Sequence, residues 1–174
     1  MHDQQQLNSY FSTHWRGHLN TYLYSGLNLA KHVKQNEWVL DVGCGINPFK
    51  SLIPNLIGID PAFDQADYRT TLEDFVTDKR FDVAFCLGSI NFGTEDIIKN
   101  QIKCLVALLK PSARIYWRVN PGLQDHGNKE CQLIDFFPWS KSLLVNYANE
   151  FGFATTNIAD DLNNRIYCEW HRIA

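Results

Sequence analysis

The sequence predicts an α/β domain built on a doubly wound, mostly parallel sheet. Three observations carry that reading. Short apolar runs alternate with amphipathic ones from about residue 38 to the end of the chain. Several of these runs are apolar at nearly every position, as strands buried on both faces are. The first of them stops at two closely spaced glycines, where a strand can turn tightly and let a ligand approach its backbone.

Each element can be justified in order. Residues 1–36 read as a polar, helical flank or lid rich in aromatics, and residues 37–174 as the body of the same single domain. Trp38-Val39-Leu40-Asp41-Val42 is the first strand, and Leu56-Ile57-Gly58-Ile59-Asp60, closed by Pro61, the second. Asp67 to Thr71 alternates more weakly and reads as a third, more exposed strand. Phe81 to Leu87 is the fourth and Arg114 to Val119 the fifth. Between them Thr94 is a good N-cap, and Glu95 and Asp96 favour the positive end of the helix dipole. Ile98, Ile102, Leu105 and Leu109 form one stripe of this helix, which Lys110-Pro111 ends. A second helix runs from Ser140 to Phe151, with Gly152 as its stop. Strands around Ala154–Ile158 and Arg165–Trp170, joined by a polar turn, close the chain, the last strand antiparallel.

Composition narrows the function. The 174 residues are 45% hydrophobic, enough for a core that buries roughly 70% of the unfolded surface. Sixteen Lys and Arg against 19 Asp and Glu give a net charge of −3, which argues against a dedicated basic nucleic-acid binder but allows a local patch. The longest apolar run, Cys104 to Leu109, falls far short of the ~20 residues of a membrane-spanning helix. The first six residues lack the basic and apolar regions of a signal peptide. The five cysteines, at 44, 86, 104, 131 and 168, are scattered and never spaced Cys-x-x-Cys. A reducing, cytoplasmic setting without a metal site is the natural reading.

The sharpest local signal is the stretch from Val39 to Pro48, in which Asp41 precedes Gly43, Cys44 and Gly45. Asn47 can cap the next helix, and Pro48 suits its first position. Asp60 ends the following strand, at about the ~20-residue spacing that lets a carboxylate meet a ribose hydroxyl. An adenosine-bearing ligand is therefore expected across the ends of the first two strands. A nicotinamide fingerprint would need a glycine where Pro48 stands, and no Gly-Lys-Ser/Thr follows to make a P-loop.

What remains is Asp-x-Gly-x-Gly, with an acid placed where it can face a cationic amino group. This pattern resembles the first motif of class I S-adenosylmethionine-dependent methyltransferases. Asn47 stands where that family often has a third glycine, and asparagine tolerates a left-handed backbone. Ile57-Gly58-Ile59-Asp60 looks like the second motif, Leu72-Glu73-Asp74-Phe75 like the third, and Phe81 to Ser89 like the fourth-strand segment. Leu108 to Arg114 resembles the Leu-Lys-Pro-Gly-Gly-Arg turn, with both glycines replaced. The resemblance implies a Rossmann-like, seven-stranded sheet in the order 3-2-1-4-5-7-6, helices on both faces, and S-adenosyl-L-methionine as cofactor. It implies that Asp41, Gly43 and Gly45 hold the methionine end, Asp60 the ribose and Glu73 the adenine edge. Leu87 and Ser89 would wall the cofactor beneath its methyl group. Cys44, Pro61, Asp74 and Gly88 complete the expected cofactor contacts.

The acceptor is expected at the loops beyond the fourth and fifth strands. Asn91, Arg118 and Asn120 are the candidate substrate contacts there, and His126 the candidate general base. Plainer readings stand beside these: His126 as an ordinary loop histidine, Glu73 as a solvated acid, Arg118 paired with an acid of the sheet instead of gripping a carboxylate or phosphate. Amino-directed nucleic-acid methyltransferases carry an Asp/Asn/Ser-Pro-Pro-aromatic motif where this chain reads Leu87-Gly88-Ser89-Ile90-Asn91-Phe92. A small-molecule acceptor is thus expected. The alternatives are a nucleic-acid methyltransferase and a non-catalytic, cofactor-binding partner subunit.

Overall fold

A computed structural model describes residues 3–13, 23–122 and 134–173. Six strands form one sheet: β1 (Val39–Val42), β2 (Leu56–Ile59), β3 (Phe81–Leu87), β4 (Leu109–Val119), β5 (Phe153–Asp161) and β6 (Arg165–Arg172). Their order is β2-β1-β3-β4-β6-β5. The first four pair in parallel, and β6 runs antiparallel to both β4 and β5.

The sheet therefore has six strands, not seven, and the expected order changes accordingly. The segment expected as a third strand contributes only one parallel bridge, from Ile59 to Tyr68. Its backbone hydrogen bonds reach only Gly58 and Asp60, whose N–H donates to the Tyr68 carbonyl at 3.2 Å, and do not continue as a ladder. Asp67 and Tyr68 both donate their N–H to the carbonyl of Gly58, and the Asp67 carboxylate accepts the Gly58 N–H at 2.8 Å. Lys50 pairs with the same carboxylate at 2.9 Å. The segment is pinned to the sheet edge at a point.

Three α-helices are described: α1 (Gln4–Thr13), α2 (Glu95–Ala107) and α3 (Lys141–Glu150). Strand side chains alternate between two cores. Ala84, Cys86, Ile115, Trp117, Cys168 and Trp170 face α2 and α3, meeting Ile98, Ile102 and Leu105 of the first and Leu144 and Tyr147 of the second. Val39, Val83, Phe85, Tyr116 and Tyr167 face the other way, against Leu29, Phe49 and Ile53. That second face is covered by two short 3-10 segments, Leu27–His32 and Pro48–Ser51, where full helices were expected. Pro48 and Pro54 bracket the latter, and the residue before a proline is disfavoured in α-helix, so no α-helix has room to form there.

The caps explain the helix bounds. Thr94 accepts the N–H of Ile97, and Ser140 that of Leu143. Helix α2 stops before Leu109, which the apolar stripe had assigned to it and which instead opens β4. Strand β4 thus begins five residues earlier than expected. The register shifts between Phe81 and Val83, and this irregularity accommodates Pro111 inside the strand.

Two polar ties hold the chain before β1 to the sheet. Glu37 receives both arms of the Arg114 guanidinium, at 2.8 and 2.9 Å. Asp161, at the end of β5, accepts the N–H of Leu23, the Ser25 hydroxyl and the N–H of Leu162, each at 2.7 Å. Helix α1 lies elsewhere, where Leu7, Tyr10 and Phe11 join Phe92, Ile134 and Phe136 in a small cluster of their own. Among the described residues no helix is long and apolar enough to cross a membrane.

The Arg114 guanidinium holds the Glu37 carboxyl down to about 2. A carboxylate whose pKa is lower folded than unfolded stabilises the fold above its unfolded value, and this contribution is lost as the pH falls towards the folded value. Glu37→Gln should lower unfolding free energy by ~1–3 kcal/mol at neutral pH. Urea unfolding should show the gap to wild type closing as the pH is lowered below about 4.5, the ordinary value of a glutamate. A gap that stays constant with pH would contradict the pairing.

Candidate functional site

The carboxyl ends of β1 to β4, roofed by α1, enclose a cavity of about 190 Å³. Its floor is the turn after β1. Gly43, Gly45 and Asn47 are all left-handed, at φ of 68°, 57° and 60°. Gly43 has a second reason to lack a side chain, because a Cβ there would collide with the Cβ of Ser89. The N–H groups of Gly43 and Cys44 both reach the Ile59 carbonyl, at 2.8 and 3.1 Å, which clamps the turn to the end of β2.

Asp60 completes that clamp. One carboxylate oxygen accepts the N–H of Gly45 at 3.0 Å and the other that of Ala62 at 2.8 Å. The residue is buried, 7% exposed, yet lines the cavity beside Pro61. Burial raises its pKa, and the backbone N–H groups of Ala62 and Gly45 oppose that rise. Asn47 makes no capping bond, contrary to expectation. It donates instead to the Gln65 carbonyl at 3.1 Å, and so props the loop between Asp60 and Asp67. Its carboxamide oxygen lies 2.5 Å from where a Cβ on Gly58 would be, so β2 needs a glycine there.

Thr70, Leu72 and Glu73 line the next part of the wall. Glu73 accepts from the side chain of Gln101, on α2, at 2.8 Å. Asp74 is not among the residues that line this wall. Its carboxylate accepts the Thr71 hydroxyl while its own N–H donates back to that oxygen, a reciprocal turn that holds it outward. The Cys44 thiol is buried, with the Gly45 carbonyl 3.7 Å away.

Asp41 is buried, 4% exposed. It lies beneath the turn, one residue before Val42 of the wall, and does not itself line the cavity. Burial pushes its carboxyl up to about 7, and the neighbouring Asp60 carboxylate adds to the rise. Leu87, Gly88 and Ser89 do line the cavity. The Ser89 hydroxyl is buried with no hydrogen-bond partner.

The loops after β3 and β4 are joined by Asn91. Its side-chain oxygen accepts the N–H of Asn120 at 3.0 Å, and its amide donates to the Gly88 carbonyl at 3.3 Å. Asn91 lines the cavity, and Asn120 is buried, 1% exposed, at the end of β4. Arg118 lines the cavity while donating to the Leu162 carbonyl at 3.0 Å, with Nε 3.7 Å from the Asp161 carboxylate. His126 lies outside the described residues. Sequence reasoning missed the contribution of α1, whose Leu7 and Phe11 enter the cavity wall, and that of Arg165 from β6. The one available signal for α1 was the spacing of these two apolar residues, four apart on a polar helix.

A turn closed to any side chain, a carboxylate at the end of the second strand and a buried hydroxyl awaiting a partner suit an adenosine-bearing ligand with a polar tail. Among the described residues no cluster of His, Cys, Asp or Glu could hold a metal ion. No family model matches the sequence, and no curated protein matches it. Solved structures do match. The magnesium protoporphyrin IX methyltransferase of Synechocystis PCC 6803, with bound S-adenosylmethionine, is 13% identical at a TM-score of 0.69, covering 99% of this chain and 98% of that one. The 1,6-didemethyltoxoflavin N1-methyltransferase of Burkholderia thailandensis, with S-adenosylhomocysteine, is 15% identical at 0.66, covering 85% and 78%. The N-methyltransferase NodS of Bradyrhizobium japonicum WM9, also with S-adenosylhomocysteine, is 14% identical at 0.65, covering 85% and 84%.

The fold is that of the class I S-adenosylmethionine-dependent methyltransferases. This chain builds that methyltransferase fold with six strands and with 3-10 turns on one face.

Asp41 gives the site a pH signature. Its folded pKa lies above the ordinary 3.8, so stability falls as the pH rises from about 4 to about 7, where the folded state must give up a proton it held. Asp41→Asn should raise the melting temperature at pH 8 by roughly 2–4 °C for each kcal/mol of relieved charge. At pH 5 the gain should be smaller. Thermal unfolding at the two pH values checks this, and an equal shift at both would contradict a carboxyl raised by burial.

Proposed function

We propose that the chain is an S-adenosylmethionine-dependent methyltransferase acting on a small-molecule acceptor. The observation that supports this most directly is the turn at Gly43, where a Cβ would collide with Ser89 and the buried Ser89 hydroxyl has no hydrogen-bond partner. When bound, the cofactor supplies a methyl group made electrophilic by its sulfonium. The chain's own residues then have three tasks: to hold, to align and to keep water out.

In this reading Asp60 accepts from ribose hydroxyls, and Glu73 from the adenine amino group; that both line the cavity supports it. The methionine end lies over Gly43 and Gly45, where Ser89 offers a hydroxyl and Asp41 a negative field for the ammonium. Asn91 fixes the loops that carry the acceptor side, and the aromatic cluster beneath α1 shields that side from solvent. The retained acid and glycines favour an enzyme over a partner subunit that has lost its chemistry. A cavity roofed by a helix suits a small acceptor better than a nucleic acid, as does the net charge of −3. The Burkholderia structure carries bound 1,6-didemethyltoxoflavin, a small molecule, within the same fold. Four described cysteines are unpaired, which supports a reducing, cytoplasmic setting.

Turnover is tested by incubating the purified chain with S-adenosylmethionine and an acceptor panel and following release of S-adenosylhomocysteine. Asp60→Ala should weaken S-adenosylhomocysteine binding by ~1–3 kcal/mol, through lost hydrogen bonds to the ribose, with an unchanged circular dichroism spectrum. Wild-type affinity in that variant would overturn the placement of the ribose.

A further inference from the structure

Glu73 lines the cavity from the segment after β2, and Gln101 lines it from α2. The Gln101 side-chain amide joins the two, donating to one Glu73 carboxylate oxygen at 2.8 Å across 28 residues of sequence. Gln101 lies three residues after Ile98 and one before Ile102, so it flanks the buried stripe of its helix. The packing of that stripe on the sheet therefore sets where the amide stands. The adjacent acid, Asp74, is held by a different group, the Thr71 hydroxyl. Of these two neighbouring acids, Glu73 is the one that lines the cavity.

The bond also fixes how the amide is turned. Facing a carboxylate, Gln101 must present its nitrogen, because its oxygen would only be repelled. That oxygen is buried and has no hydrogen-bond partner among the described residues. An orphaned buried acceptor is costly, so the pair returns little to the fold that a plain apolar contact would not. What the pair provides is a carboxylate held in one direction. Gln101 is neutral and engages one oxygen, which leaves the other as an acceptor for a ligand.

We propose that Gln101 is a positioning residue that aligns Glu73 on the 6-amino group of adenine, so that the pair selects a 6-amino purine over a 6-oxo one. This deepens the methyltransferase reading above and rests on it. An amino group offers the donor that a carboxylate needs. A 6-oxo group turns a second acceptor towards it and leaves both without a donor. A glutamate free to rotate would lose that freedom when the ligand binds, whereas one already held by Gln101 has less to lose.

The purified chain is titrated calorimetrically with S-adenosylhomocysteine and with S-inosylhomocysteine, which carries a 6-oxo group in place of the 6-amino group. Wild type should prefer the first by at least about tenfold. Glu73→Leu should abolish that preference. Gln101→Met keeps the length of the side chain but removes the donor, and should shrink the preference to about a third or less. Gln101→Glu sets a second carboxylate against the first and should shrink it as well. In both variants the loss should fall on S-adenosylhomocysteine. A merely damaged helix would weaken both ligands alike and leave their ratio standing, and that result would overturn the role of Gln101. So would a wild-type ratio in both Gln101 variants when Glu73→Leu has lost it, an outcome that leaves the cofactor reading intact. Equal binding of the two ligands by wild type would overturn the amino-group contact itself. No binding of S-adenosylhomocysteine by folded wild type would remove the methyltransferase reading and the proposal with it.

Discussion

Gly43 and Ser89 approach so closely that no methyl group fits between them, and the site depends on that contact. It lays the turn after β1 directly on the loop after β3. The left-handed backbone at Gly43 and Gly45 makes the approach possible, and the paired N–H bonds to Ile59 hold it. Asp60 then joins the same turn through Gly45, so three strand ends are fixed relative to one another by backbone groups and one carboxylate. Backbone contacts of this kind position a ligand with little loss of entropy on binding. Further out, Asn91 repeats the device with a side chain, joining the loops after β3 and β4.

The electrostatics follow from where these groups are buried. Asp41 and Asp60 are near neighbours in a dry region, and burial raises the pKa of both. Asp60 has backbone donors in Gly45 and Ala62, which oppose its rise, and the Asp60 charge adds to the rise at Asp41. A cationic ligand held above the turn would favour ionised Asp41 and stabilise the very group that weakens the free fold. Arg118 and Arg165 line the same cavity from β4 and β6. The cavity wall thus carries both charged groups and aromatic rings.

Much of this was legible in the sequence because it rests on local patterns. Asp41, Gly43, Gly45 and Asp60 declare themselves by spacing, since a strand, a tight turn and a second strand fix how far apart they must be. Alternation marked the strands, and Thr94 and Ser140 marked the helix starts. What stayed hidden depends on tertiary packing. The segment from Asp67 to Thr71 has the composition of a strand, but its backbone bonds reach only Gly58 and Asp60 at the end of β2. Glu73 and Asp74 are adjacent acids that only the Thr71 turn tells apart. Asn120 and Arg118 were both plausible ligand contacts, and their neighbours Asn91 and Asp161 lie 29 and 43 residues away in sequence. The roofing by α1 rests on Leu7 and Phe11 meeting Phe92 and Phe136, a contact no local pattern encodes.

The central claim is that the turn after β1 receives an adenosyl ligand with an amino-acid tail and not a dinucleotide. Calorimetric titration of the wild-type chain with S-adenosylmethionine, S-adenosylhomocysteine and NAD addresses it directly. The account requires micromolar binding of the first two and none of NAD. Binding of NAD, or silence towards both adenosyl ligands from a chain that is folded by circular dichroism, would contradict it.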